Sequence, residues 1–449
     1  MASKQDEGVE RSLGFETRSV HAGYSSTDHA DSANVPIYAT AAFGLGDADC
    51  ADAIVTGEAD GYSYSRAANP TVTVLERRIA DLEGGVGAVA VGSGMAAVTF
   101  ALVCAAEGGG RVIAPADIYG GTVDLLETFL PQFGIHADFV DDINDLDAVE
   151  ALIGPDTKVV FAETVANPSL VLADVPGLAS VAHRHGVALI VDNTLPTPVL
   201  FRPIEHGADI VVHSVTKGLG GHGNVLGGAV VDAGRFDWAN GRYPQFIRVE
   251  QVISEDREDE WRSFASAYGT EAFHHAIRIK YLRNFGATLS PFNAYLQLQG
   301  IDTLTERIRR EVISAATIAE HLRWSPYVDE VFAPGTGFAA GSDRRAQRQR
   351  ELLDELFPNG ASTVLSFRPK GGVAQARRLV GSTQVFSYIP NVGDVRSMIV
   401  NPALVTHREV GASHRRGTGL SDDLIRLSIG LENVEDLVSD LDHALEVSV

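Results

Sequence analysis

Residues 209–224, DIVVHSVTKGLGGHGN, place one lysine where an amine can do chemistry. Lys217 follows a run of apolar β-branched residues and stands among Ser214, Thr216 and a burst of glycines. Most lysines are solvated surface charges. This one sits just past an apolar segment, and partial burial favours the neutral amine that attacks a carbonyl. Ser214 and Thr216 are two apart, so in an extended segment their hydroxyls share a face. That pair suits one phosphate.

Three other stretches offer complementary groups. GSGMAA at 92–97 fits a loose G-x-G-x-x-A pattern between an apolar run and a helical one. A helix start of this kind attracts an anion through its free N–H groups, whichever phosphate carries it. Taken alone it also fits a plain structural turn or the dinucleotide site of an NAD(P)-dependent oxidoreductase. VALIVDN at 187–193 ends an apolar run on Asp192. Such a carboxylate serves as a helix cap, or faces a protonated ring nitrogen and keeps it charged. DIYGGT at 117–122 carries Tyr119 beside two glycines, a side chain able to stack on a flat ring. In GYSYSRAANP, Tyr64 and Arg66 lie in a stretch without sustained periodicity, and Arg66 suits a bidentate contact to phosphate or carboxylate.

Composition narrows the partners. A net charge of −23 argues against nucleic acid or an anionic membrane as the partner of the whole surface. The two cysteines, Cys50 and Cys104, permit at most one bridge, and Cys104 falls in an apolar helical pattern. The polar N-terminal residues lack the apolar core of a signal peptide, and no apolar run has membrane-spanning length. The cytoplasm is the expected location. No metal is expected: His183 and His185 point to different faces of a helix, and no Cys/His cluster has ligand spacing.

The elements that must hold these residues alternate. Helix signals open at Asn69-Pro70 and close on the glycines after Glu83. GAVAV, RVIAP, HADFV, KVVFAET, VALIVDN, DIVVHS and GGAVVD are short apolar runs, and amphipathic helical stretches separate most of them. That pattern predicts an α/β fold with a mostly parallel sheet covered on both faces. Ligands in such folds bind at the carboxyl ends of the strands, where Asp192 and Lys217 fall. Long helices are expected over 245–330. Strands at STVLSFRP, QVFSYI and LIRLSIG suggest a smaller α+β unit beyond them. The charged segment AAGSDRRAQRQRELLDEL reads as a solvated helix. Residues 1–12 read as disordered, and 13–66 as an extended arm.

A phosphate nest, a stacking tyrosine, a strand-end carboxylate and a strand-end lysine together match pyridoxal phosphate: phosphate, ring, ring nitrogen and aldehyde. At this point the sequence resembles the Cys/Met-metabolism family of pyridoxal-phosphate-dependent enzymes, over about residues 14 to 445. The resemblance rests on YSYSRAANPT, GSGMAA, YGGT, ANPS, VDNT, HSVTKGLGGHG and RLSIGLE. Within the family, FETRSVHAG, GGHGNVLGG and LSPFNAYLQLQGIDTL are most similar to the O-acetylhomoserine sulfhydrylase branch.

The resemblance implies fold type I of the pyridoxal-phosphate transferases, with a seven-stranded-type sheet. It implies an arm over 1–66 that contacts a neighbouring subunit, a cofactor-binding large domain over 67–299 and a smaller domain over 300–449. Lys217 would hold the cofactor aldehyde as an imine and move protons. Asp192 would face the ring nitrogen, Tyr119 the ring, and Asn167 the ring hydroxyl. Gly94, Met95, Ser214 and Thr216 would bind the phosphate, with Tyr64 and Arg66 reaching it from another subunit of a homotetramer. Arg426, Asn391 and Tyr64 would meet the substrate. The implied reaction is γ-replacement: O-acetylhomoserine plus sulfide or a thiol gives homocysteine or a thioether plus acetate. Cystathionine γ-synthase and methionine or cystathionine γ-lyase are the alternatives within the family. Asn401 departs from the family's usual histidine near the implied substrate entrance and bears on the leaving group.

Overall fold

The computed structural model describes residues 13–56, 59–253, 261–336, 343–406 and 420–449. Its large sheet holds β1 (Gly87–Val91), β2 (Gly110–Pro115), β3 (Ile135–Val140), β4 (Thr157–Glu163), β5 (Ala188–Asp192), β6 (Ile210–His213) and β7 (Gly228–Asp232). The spatial order is β1-β7-β6-β5-β4-β2-β3. β7 runs antiparallel to both of its neighbours, and the other pairings are parallel.

Period-two alternation divides each strand between two cores. Ala88, Ala90, Leu189, Val191, Val211 and Val231 belong to one face. Val89, Val91, Ala188, Ile190, Val212 and Val230 belong to the other. Strands buried on both faces read as continuous apolar runs, as β4 to β7 do; the edge strand β3 is only partly buried, with His136 exposed.

Helix α1 (Pro70–Glu83) covers the first face with Val74, Leu75, Ile79 and Leu82. Asn69 caps it by accepting the Thr71 N–H at 3.0 Å, Pro70 starts it, and Gly84 ends it in the left-handed region. Helix α2 (Gly94–Ala105) covers the second face. Ser93 caps α2 by accepting the Ala96 N–H at 3.2 Å. The arm differs from the extended expectation: it contains short helices at Phe15–His21 and Ala48–Thr56. The disorder expected for 1–12 lies outside the described residues.

Two helices, α3 (Pro291–Asp302) and α4 (Leu304–Arg323), lead to a second sheet. It comprises β8 (Val328–Phe332), β9 (Val364–Pro369), β10 (Ser387–Tyr388), β11 (Met398–Val400) and β12 (Ile425–Ser428), in the order β10-β11-β12-β9-β8. It packs with α4 and α5 (Val434–Val447) around Ile318, Leu322, Phe367, Leu427, Leu441 and Leu445. The charged segment forms a helix over Asp343–Leu356. It is solvated on one side only: Gln349 is buried and exchanges hydrogen bonds with the backbone of Leu172 at 2.8 and 3.0 Å.

Arg307 of α4 fixes the loop that follows Lys217. Its guanidinium donates to the carbonyls of Gly218, Leu219 and Gly300 at 2.9, 3.1 and 2.8 Å. Gly221 has φ 69°, and a Cβ there would lie 2.0 Å from the same guanidinium, so both backbone shape and space require glycine. One turn further, Glu311 is fully buried and neither carboxylate oxygen has a hydrogen-bond partner among the described residues.

Burial pushes the Glu311 carboxyl up to about 7, against the pull of Arg307. The folded chain therefore holds a proton there that the unfolded chain loses near its ordinary value of 4.5. Stability from this group is present below the unfolded value and is lost as pH rises towards 7. Glu311→Gln is expected to gain on the natural protein between pH 5 and pH 8, by at most about 3 kcal/mol. Urea unfolding at the two pH values checks this, and an equal difference at both would contradict it.

Candidate active site

A cavity of about 230 Å³ opens at the carboxyl ends of β4, β5 and β6 and is closed by residues around the second sheet. Ten of the twelve residues singled out from sequence line it: Gly94, Met95, Tyr119, Asn167, Asp192, Ser214, Thr216, Lys217, Asn391 and Arg426. Tyr64 and Arg66 do not. Both are exposed on the arm, with the Arg66 guanidinium 5.4 Å from the Tyr64 ring and donating to the Arg283 carbonyl.

At one end of the cavity lies the start of α2. The N–H groups of its first residues, Gly94 and Met95, have no preceding turn to bond. Ser214 packs directly against them: a Cβ on Gly94 would lie 2.5 Å from the Ser214 Cβ. Glycine at 94 therefore leaves backbone and hydroxyl side by side, a cradle for an anion. Thr216 is less available than its spacing suggested. Its hydroxyl donates to the Gly227 carbonyl at 3.1 Å and accepts the Gly227 N–H at 3.0 Å.

Two strand-end carboxyls also line the cavity and stand in register, Glu163 of β4 beside Asp192 of β5. Asp192 accepts the Thr194 N–H at 2.9 Å. Glu163 accepts the N–H groups of Tyr119 and Asn167, both at 2.8 Å, and so sets where those two residues stand. Burial pushes the Asp192 carboxyl up. Burial, then the neighbouring Asp192, pushes Glu163 well up. Glu163 was missed in the sequence, although it ends KVVFAET as Asp192 ends its own apolar run.

Lys217 Nζ donates to Asn391 Oδ1 at 2.5 Å. Burial, then the charge of Arg426, lowers its amine to about 8. At pH 7 roughly a tenth of these amines is then uncharged and nucleophilic, far more than for an ordinary lysine. Arg426, buried in β12, donates to Asn167 Oδ1 at 3.0 Å and to the Asn391 carbonyl at 3.3 Å. Its Nε has no partner among the described residues, a buried donor that suits an incoming carboxylate. Burial lowers Arg426 to about 10, so it stays cationic.

A family model described as Cys/Met metabolism PLP-dependent enzyme matches residues 16–446. The chain belongs to this family. Its cofactor is pyridoxal phosphate, and the residues present fit that group: one cavity is lined by a glycine cradle at a helix start, two strand-end carboxyls, a lysine of lowered pKa and a guanidinium donor without a partner among the described residues. The chain is 38% identical over 439 residues to a homocysteine synthase of Schizosaccharomyces pombe, covering 97% of this chain and 98% of that one. It is 39% identical over 444 residues to an O-acetyl-L-homoserine sulfhydrylase of Corynebacterium glutamicum, covering 98% of each. The crystal structure of a Campylobacter jejuni protein named as an O-acetylhomoserine (thiol)-lyase contains N'-pyridoxyl-lysine-5'-monophosphate. It matches with a TM-score of 0.89 at 36% identity, covering 97% of this chain and all of that one. The dinucleotide reading of GSGMAA falls away, since the family places a pyridoxal phosphate enzyme over the whole segment.

Two other sequence expectations change. Asn401 is fully buried and turned away from the cavity. Its amide donates to the Asp422 carbonyl at 2.8 Å and accepts the Leu404 N–H at 3.1 Å, so it ties a turn together. The nearby residue that does line the cavity is Thr406. One histidine group also comes closer to metal spacing than expected: Glu271, His274 and His275. The two imidazoles are tilted at 36° with centroids 4.3 Å apart, and His274 Nδ1 is held by Asp232 at 3.1 Å.

Proposed function

We propose that this enzyme exchanges the acetate of O-acetyl-L-homoserine for sulfide or a thiol, giving homocysteine or a thioether. The observation that carries the reading is that the Lys217 amine, lowered to about 8, lines one cavity together with Asp192 and Arg426. Pyridoxal phosphate supplies an electron sink for charge developing at the substrate Cα.

The residues of this chain do the rest. The amides of Gly94 and Met95 and the Ser214 hydroxyl bind the phosphate. Tyr119 covers the ring, and Asp192 holds the proton on the ring nitrogen. Arg426 and Asn391 bind the substrate α-carboxylate. Lys217 Nζ takes the Cα proton. A second proton leaves Cβ, and its electron pair expels the γ-acetate with Tyr119 assisting. Sulfide or a thiol adds at Cγ, and protons return to Cβ and Cα. Among the described residues that line the cavity, the cationic side chains are Lys217 and Arg426. Once both are engaged, neither is left for the extra carboxylate of a succinyl ester or the charge of a phosphoryl ester. An acetyl ester needs none.

The test is a leaving-group and thiol screen read by product mass. O-acetylhomoserine with sulfide is expected to outpace the O-succinyl and O-phospho esters. Preference for a charged ester, or release of α-ketobutyrate from methionine as the main activity, would contradict the proposal.

The same shortage of positive charge bears on assembly. A phosphate dianion bound by neutral donors alone is under-compensated. We place Tyr64 and Arg66 of a second copy at that phosphate, in a homotetramer built as a dimer of dimers. Arg66→Ala is expected to weaken cofactor binding about ten- to a hundredfold. Unchanged retention on dialysis would remove the cross-subunit role. A cytoplasmic location completes the reading. Both cysteines are free thiols, and among the described residues no helix is long and apolar enough to cross a membrane.

A further inference from the structure

Glu163 ends β4 in the cavity wall, yet no step above uses it. Its carboxyl is buried and stands in register with Asp192, a second carboxyl. A carboxyl is costly to bury, and more so beside another of its kind. Packing alone would be served as well by an apolar side chain of similar size. What Glu163 adds is two acceptor oxygens, and both are engaged. Oε1 accepts the Tyr119 N–H and Oε2 the Asn167 N–H, each at 2.8 Å. Among side chains, only aspartate and glutamate offer two acceptor oxygens without a fixed donor.

Both bonds reach backbone outside the sheet. Tyr119 stands between β2 and the short helix Gly120–Asp124, and Asn167 follows the end of β4. There a side-chain acceptor takes the place of a ladder bond. Each residue carries the constraint into the cavity. The Tyr119 ring lies close over Gly121, where a Cβ would be 2.7 Å from its Cε1 and 3.4 Å from Met95 Sδ. Asn167 Oδ1 accepts Arg426 Nη1 at 3.0 Å. One buried carboxyl thus joins the tyrosine to the guanidinium.

We propose that Glu163 is a positioning residue for the reaction. Its two oxygens fix Tyr119 at the cofactor ring and, through Asn167, hold Arg426 at the substrate α-carboxylate. It acts through these residues rather than on the reacting atoms. The proposal rests on the roles given to Tyr119 and Arg426 above.

The test measures kcat and KM for O-acetylhomoserine with sulfide on the full-length enzyme, with pyridoxal phosphate in excess. Glu163→Gln keeps the size of the side chain, but its amide nitrogen donates and cannot accept. At one of the two N–H groups, donor then meets donor. The change is expected to lower kcat/KM about ten- to a hundredfold, the scale of one lost buried hydrogen bond. The same change is made in Tyr119→Ala and in Asn167→Ala, where placement of the missing side chain no longer matters. In at least one background the further loss is expected to stay below about twofold, since coupled residues are not additive. A loss absorbed by Tyr119→Ala should fall mainly on kcat, and one absorbed by Asn167→Ala mainly on KM.

Additive losses in both backgrounds would mean a merely structural role. A reversed split, or no loss in Glu163→Gln, would mean that Glu163 does not act through these residues. Each overturns the proposal. If Glu163→Gln fails to fold, Glu163→Asp is judged by the same two cycles, since it keeps both acceptors but draws them back by one carbon. Should Tyr119→Ala and Asn167→Ala themselves leave kcat and KM unchanged, the roles of Tyr119 and Arg426 fail. If either impairs the enzyme and Glu163→Gln adds to both in full, only the role of Glu163 fails.

Discussion

Lys217→Ala is expected to cut turnover about ten-thousand-fold, the upper end of what a positioned proton-transfer group contributes. The same change should abolish the visible absorbance of the bound cofactor. No other described lysine lines the cavity, so nothing is placed to take over. Unfolding would not explain the loss. Burial holds the Lys217 amine at about 8, below its ordinary 10.5, so the apoprotein is less stable at pH 7 than it would be with a neutral group there. Removing the amine should leave the melting temperature at pH 7 unchanged or raised. Retained turnover together with a retained cofactor band would contradict the role given to this residue.

Asp192→Asn is expected to lower kcat about a hundredfold or more, the scale seen when a preorganised charge partner is removed. The isosteric amide keeps the bond to the Thr194 N–H, so the strand end should hold its shape. KM should move much less than kcat, since the α-carboxylate site at Arg426 is untouched. A variant with unchanged kcat would show that the ring nitrogen does not need its charge held by this residue.

The parts legible in the sequence share a physical cause. Strands buried on both faces leave continuous apolar runs, so β4 to β7 could be read directly, and so could Asp192 and Lys217 at or just past two strand ends. β8 was not read. Asp329 and Glu330 are exposed on this edge strand, so VDEVF carries no clear apolar signal. β11 has three residues, too few for any period to show. Of QVFSYI, only Ser387 and Tyr388 pair as a strand, at the edge of the small sheet. The long helices expected over 245–330 are interrupted after Phe285, where Gly286 turns left-handed.

Distance along the chain had the same effect on the site. Asn391 lies 174 residues from the lysine it bonds, and Arg426 lies 259 residues from Asn167. Local pattern does not join such pairs, and only the family resemblance pointed to them. Glu163 stood one strand over from Asp192 with the same signature and was passed over. Asn401 shows the opposite error: an unusual residue near an entrance turned out to hold a turn.

The most direct test is to reduce the yellow protein with borohydride, digest it and locate the pyridoxyl group by mass spectrometry. The expected result is a single modified peptide carrying the adduct on Lys217. An adduct on Lys158, Lys280 or any other peptide, or protein that stays colourless with excess pyridoxal phosphate, would contradict the assignment from which the other roles follow.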